Sequence, residues 1–341
     1  MNSSSNAMSA KARSMYGNLL TKEDYDNLIN LNSVSDIAHY LKTETHYRIS
    51  LFNINESKIH RGELEDMIRN DVFKRFTRLV KFGSSNEDFY SYGILKAEIQ
   101  QILAVVRAIK LNDKTNFIIK LPFYIQSHMS YDLKKLAAIN SYAELLLFFS
   151  SSEYEKIIKQ NFHDQEINYL GLEKDLNDYY ASKVRNIIRK NKSKTNQKQF
   201  EDFFDTEMEL GNIAKIYRLK KYFNSSPEEI KDSINLVFKG ISQRKLFKMI
   251  DELNAEEFLK ALEDTVYRKY FDANNFLYIE HSVKNIIYHI SRRNINYATD
   301  SDLVLLSYMV VSDNEIDNII NIIECVKYKI SKDSISNMLI M

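Results

Sequence analysis

The stretch EMELGNIAKIYRLKK, residues 207–221, decides the fold. At about 100° per residue, Leu210, Ile213, Ala214, Ile216 and Tyr217 spread over one broad helix face. Glu209 falls inside that face. A carboxylate within an apolar stripe is costly unless it is paired, so its presence needs a reason.

The same pattern occurs twice more, as EIQQILAVVRAIK from Glu98 and EIDNIINIIECVK from Glu315. Counting from the glutamate, offset one is Ile99, Leu210 or Ile316, and offset three is an amide, Gln101, Asn212 or Asn318. Offset four is always isoleucine (Ile102, Ile213, Ile319), and offset twelve is always lysine (Lys110, Lys221, Lys327). A second segment precedes each of these, at 25–47, 131–154 and 245–267. Each reads as a short helix, a polar break, an amphipathic helix and a closing tyrosine: Tyr47, Tyr154 or Tyr267. The next glutamate follows the tyrosine by 51, 55 and 48 residues. Such regularity marks three copies of a helical unit of about 110 residues.

Composition agrees with an all-α protein. Only 2 Pro and 7 Gly occur in 341 residues, where average usage is about 5% and 7%. Turns then fall to polar clusters such as Asn53-Ile54-Asn55, Ser84-Ser85-Asn86 and Asn224-Ser225-Ser226. Further helical spacing runs through 59–82 (Leu64, Ile68, Val72, Phe76, Leu79) and 172–190 (Leu172, Leu176, Tyr179, Tyr180, Val184, Ile187, Ile188). No alternating run is long enough to demand a sheet. The opening MNSSSNAM reads as an appended leader, residues 1–7, before a native start at Met8. The expected repeats are 8–120, 121–230 and 231–341.

The single cysteine, Cys325, excludes an internal disulfide and fits a reducing compartment. It sits among Ile322, Ile323 and Val326, where a buried, inert thiol is expected. No apolar run approaches the ~18 residues of a membrane span, so membrane association would be peripheral. The balance of 47 basic and 46 acidic residues gives no global field for nucleic acid. One local exception, SKVRNIIRKNKSKTNQKQ at 182–199, carries seven basic residues and no acid. It reads as a helix end with a solvated loop, and secondarily as a contact for lipid headgroups or an acidic partner.

Three converging carboxylates could bind a cation. The simpler reading of Glu98, Glu209 and Glu315 is a structural clasp. Each would accept hydrogen bonds from backbone N–H groups at a neighbouring helix start, or from a tyrosine or lysine of the adjoining unit. Tyr47, Tyr154 and Tyr267 pack over helix ends. Arg107 and Arg218, at offset nine, lie about 180° from the glutamate and face solvent, a channel or a partner; the third copy has Glu324 there. Phosphate-binding loops, HExxH and GxSxG are all missing, and a zinc site is disfavoured by one cysteine. No catalytic residue, cofactor or metal is expected.

The segments ARSMYGNLLTKEDYDNLINLNSVSDIAHYLKTETHY, DTEMELGNIAKIYRLKKYF and VVSDNEIDNIINIIECVKYKISKDSISNML resemble, in that order, parts of the C subunit of rotary V/A-type ATPases, known in eukaryotes as the d subunit. The resemblance runs from about Lys11 to the end and agrees with the triplication. It implies an all-helical funnel with three pseudo-equivalent units around a central pocket. It also implies a non-catalytic adaptor between the central stalk and the membrane rotor ring, on the cytoplasmic face, with no nucleic-acid or small-molecule partner. The rival readings are a helical-repeat scaffold with an unrelated protein partner, and a helical bundle holding two metals on paired carboxylates. The second lacks the Glu-x-x-His motif such bundles use.

Overall fold

The computed structural model describes residues 3–80, 87–112, 126, 128–271 and 276–341. The turn expected at Ser84-Ser85-Asn86 and the repeat boundary expected between residues 120 and 121 lie outside the described residues. The chain packs as two compact units, Met1–Ser85 with Asn274–Met341, and Asn86–Ala273.

Helices dominate. The first part of unit 1 contains α1 (Ser3–Tyr16), α2 (Lys22–Ile29), α3 (Val34–Glu44) and α4 (Arg61–Val80). Unit 2 contains α5 (Glu87–Leu111), α6 (Leu133–Ala137), α7 (Tyr142–Phe148), α8 (Glu155–Gln160), α9 (Tyr169–Asn191) and α10 (Lys194–Tyr222). It continues with α11 (Pro227–Ser233), α12 (Gln243–Glu252) and α13 (Ala255–Ala261). Unit 1 is completed by α14 (Ile279–Tyr297), α15 (Ser301–Lys327) and α16 (Lys332–Met338). Residues 3–7, set aside above as leader, are continuous with α1.

Two strands interrupt the helices, β1 (Phe162–His163) and β2 (Glu166–Ile167), paired antiparallel. Their turn places Asp164 and Gln165 at φ 51° and 65°, the left-handed pair a tight hairpin needs. Strands this short leave no alternation for a sequence to display.

The segments expected before each tyrosine are helix pairs: α2 and α3, α6 and α7, α12 and α13. The polar break is an N-cap. Ser33, Ser141 and Asn254 accept hydrogen bonds from the backbone N–H of Asp36, Glu144 and Glu257. Each cap contributes about 1 kcal/mol. The Glu257 side chain also reaches back to the Asn254 N–H, completing a capping box.

The long helices carrying the glutamates are α5, α10 and α15. Each is followed at its C-terminal end by a residue in the left-handed region: Asn112 (φ 49°), Asn224 (φ 48°) and Lys329 (φ 58°). The last end closes with the Schellman backbone bond, Ile330 N to Cys325 O at 2.9 Å, whereas after α10 the N–H of Ser225 reaches one residue further back, to Leu219 O at 3.1 Å.

The core of unit 1 joins the two ends of the chain. Leu28, Ile37, Leu41, Tyr47, Leu51, Leu64 and Ile68 pack with Ile316, Ile319, Ile322, Ile323, Ile335 and Leu339. Full burial of each aliphatic side chain contributes about 1.5–3 kcal/mol. Cys325 belongs to this core, its Sγ 4.0 Å from Met338 Sδ, and burial pushes its thiol pKa up.

Candidate functional site

The three glutamates are buried, with relative exposures of 4% for Glu98, 0% for Glu209 and 2% for Glu315. Each accepts a phenol hydrogen bond together with backbone N–H bonds from the segment leading into a short helix. Glu209 has the fullest set. Its Oε1 accepts from the N–H of Lys239 at 2.8 Å and Ile241 at 2.9 Å. Its Oε2 accepts from Gly240 N–H at 2.7 Å and Tyr267 O–H at 2.5 Å. Gly240 is needed for this approach, because a Cβ there would lie 2.9 Å from the Tyr267 hydroxyl and 2.6 Å from Val266 Cγ2.

Glu98 accepts from the N–H of Ser130 and the hydroxyl of Tyr154. Tyr131 donates to the Glu98 backbone carbonyl at 2.7 Å. Glu315 accepts from Leu20 N–H at 2.6 Å and Tyr47 O–H at 2.9 Å. It also has His46 Nε2 at 2.9 Å and Arg75 Nη2 at 3.7 Å. Arg75 pairs in turn with Asp71 at 2.8 Å, and Asp71 accepts from Ser50. This third clasp therefore carries a charged network.

Contact order differs from sequence order. Each tyrosine precedes the next glutamate along the chain, yet it bonds the glutamate before it: Tyr154 with Glu98 and Tyr267 with Glu209. Tyr47 has no repeated glutamate before it, and it bonds Glu315, 268 residues away. The pairing is thus cyclic, with the N-terminal segment completing the last copy.

Two further repeated devices support the clasps. A hydroxyl stands two residues before each tyrosine: Thr45, Ser152 and Thr265. Each donates at 2.6 Å to the carbonyl of Leu41, Phe149 or Leu262 and accepts at 3.2 Å from the tyrosine N–H. Four residues after the tyrosine, Leu51, Ile158 and Phe271 are buried. The pattern [S/T]-x-Tyr-x-x-x-apolar was visible in the sequence as a recurrence, but the glutamate pattern overshadowed it.

Two of the offset-three amides, Asn212 and Asn318, form the second device. Asn212 donates to Asn235 O at 2.7 Å and accepts from Asn235 N at 3.1 Å. Asn318 treats Ile340 alike, at 2.8 and 3.1 Å. A primary amide that satisfies both polar groups of one buried residue replaces a missing strand neighbour.

Burial, then the neighbouring carboxylate, pushes the phenols of Tyr154 and Tyr267 far above the ordinary value of 10, and Tyr47 shifts the same way. The phenols therefore remain donors. Because the folded state holds these protons more tightly, stability falls as pH rises above about 10, where unfolded tyrosines ionise. Tyr267→Phe is expected to cost about 2 kcal/mol at neutral pH and to flatten that alkaline limb. Urea unfolding followed at pH 7 and pH 11 checks both; an unchanged alkaline slope would remove Tyr267 from the account.

Arg107 and Arg218 are exposed. Arg107 lies over the Tyr169 ring, 6.0 Å from its centroid. Burial and Glu173 push the Tyr169 phenol up to about 12, while Arg107 and Arg218 oppose the shift. The structure thus sets Arg107 against the tyrosine at the start of α9, and Arg218 acts on the same phenol through its charge. Close by, Lys215 is buried against Glu173 at 2.6 Å. The third-copy residue, Glu324, instead pairs with Arg61 at 2.7 Å. Among the described residues no group of acids, histidines and cysteine is arranged to hold a metal, and no helix is long and apolar enough to cross a membrane.

Repeated helices, buried glutamates and cyclic clasps together describe a helical protein built on one reiterated internal bond pattern. The chain belongs to the ATP synthase (C/AC39) subunit family, whose pattern matches residues 8–338. It is similar to the C subunit of the A-type ATP synthase of Methanosarcina mazei, with 25% identity over 75% of this chain and 69% of the relative. It is 23% identical to the corresponding protein of Methanococcoides burtonii over 98% of this chain and 93% of the relative. The protein of the same description in Archaeoglobus fulgidus is 24% identical over 91% of this chain and 88% of the relative.

Proposed function

We propose that the chain is a non-catalytic adaptor in the central rotor of a V/A-type ATPase or ATP synthase. It links the central stalk to the membrane rotor ring and transmits torque for coupled proton or sodium transport on the cytoplasmic face. The observation that carries this reading is family membership across residues 8–338. The repeats 8–120, 121–230 and 231–341 form a funnel around a central pocket. A torque-bearing body must not yield between its parts. Close-packed helices give stiffness, and buried clasps at Glu98, Glu209 and Glu315 with Tyr47, Tyr154 and Tyr267 hold each helix in register. These residues do no chemistry.

Arg107, which lies over the Tyr169 ring, and Arg218 are the stalk-facing cations. Native mass spectrometry of the protein with central-stalk proteins and detergent-solubilised rotor ring tests the role, and a one-to-one complex with either is expected. No complex with either would move the unrelated-scaffold reading to the front. Arg107→Glu combined with Arg218→Glu should weaken stalk binding at least about tenfold without changing the melting temperature. Unchanged binding in a titration would remove the arginines from the interface.

A further inference from the structure

The basic stretch 182–199 forms the tip of a helical hairpin, where α9 ends and α10 begins. The tip is a defined turn. Ser193 is the N-cap of α10, and Gln197 Nε2 donates to the carbonyls of Arg189 at 3.2 Å and Lys192 at 2.9 Å. Toward the base of the hairpin the cations are paired: Lys183 with Glu153 at 3.0 Å and Arg185 with Asp205 at 2.7 Å. Arg189 reaches Glu201 at 4.0 Å. Lys192 lies over the Phe200 ring, 5.2 Å from its centroid. Lys190, Lys194 and Lys198 are exposed and have no ion-pair partner among the described residues.

The fold does not explain this charge. Lys190 suits the C-terminal turn of α9, but Lys194 stands in the first turn of α10, which holds no acid, and the acids three and four residues after Lys198, Glu201 and Asp202, are engaged by Arg189 and Lys239. Lys194 opposes the helix dipole there, and Lys194 and Lys198, four residues apart, oppose each other.

We infer that this hairpin tip is an electrostatic contact for anionic lipid headgroups. Its chemistry selects that partner over two others. Specific protein interfaces deplete lysine and centre on buried aromatic anchors, whereas the residues between Lys192 and Lys198 include Ser193, Thr195, Asn196 and Gln197. Single-stranded nucleic acid needs exposed rings for stacking, and the nearby Phe200 is buried. Point charges on flexible stems at a hairpin turn fit a diffuse negative surface. This inference does not depend on the rotor role.

The test is co-sedimentation of the full chain with phosphatidylcholine vesicles, with and without phosphatidylserine, at about 0.05 M and about 0.5 M salt. Binding is expected only with phosphatidylserine and only at low salt. Each basic charge near such a surface raises partitioning roughly fivefold. Lys190→Glu, Lys194→Glu and Lys198→Glu together should therefore reduce it by at least about a hundredfold. The reversals lie at exposed positions, and circular dichroism verifies that the helices persist. A charge-matched reversal at Lys134, Lys135 and Lys156 should retain most of the binding. Three results would overturn the inference: no sedimentation with phosphatidylserine, equal loss in both triple variants, or capture of an acidic peptide in place of the vesicles.

Discussion

Glu209→Gln is expected to destabilise unit 2 by about 3 kcal/mol. The carboxylate accepts from three backbone N–H groups and one phenol. A glutamine can offer one carbonyl oxygen to that set, and its own NH2 must then confront donors. Leaving a buried donor unsatisfied costs roughly 1–3 kcal/mol, and at least one or two are orphaned. Glu98→Gln should cost less, because Glu98 is matched by one described N–H and one phenol. With two packing units a single unfolding transition is not assured. Limited proteolysis under increasing urea, reading fragments from 86–273, is the suitable measurement. The stalk binding proposed above should persist in the folded fraction. A Glu209→Gln variant that stays stable yet no longer binds would assign the residue to an interface rather than a clasp.

Asn318→Ala is expected to cost about 2–3 kcal/mol, by a different route. It orphans the N–H of Ile340, and it leaves that residue's carbonyl with the bond from Asn314 Nδ2 at 2.8 Å. One unsatisfied buried group, one lost hydrogen bond and looser packing of Leu339 and Ile340 make up this cost. The released C-terminal segment should show rapid amide exchange across 332–341 while α15 itself stays protected. Unchanged exchange there would show that apolar burial alone holds the tail.

The helices were legible because a 3.6-residue period needs only local sequence, and Glu98, Glu209 and Glu315 stood out as charges on apolar faces. Their partners were less legible. A backbone N–H such as that of Gly240 or Leu20 carries no mark in a sequence, since every residue except proline has one. The cyclic pairing of Tyr47 with Glu315 was hidden because adjacency along the chain suggests the wrong neighbour. The network of His46, Arg75 and Asp71 draws on one copy only, so comparing the repeats could not reveal it. The β1–β2 hairpin was too short to register. Thr45, Ser152 and Thr265 were readable in principle: a hydroxyl two residues before a recurring tyrosine is a local signal with a local cause.

Unit 1 contains the first and the last part of the chain, and this governs how the protein is made. On a ribosome, α2 and α3 emerge long before α15. Their apolar faces, with Leu28, Ile37 and Leu41, must wait for Glu315 and the isoleucines around it. At typical synthesis rates of about 5–20 residues per second, the 268 residues between Tyr47 and Glu315 take tens of seconds. Unit 2, a continuous stretch, can fold during that interval. A nascent chain therefore passes through a stage with one finished body and one sticky, unclosed terminus, the kind of surface chaperones hold. Chains broken off before α15 never close that terminus, so incomplete copies keep the apolar faces of α2 and α3 exposed.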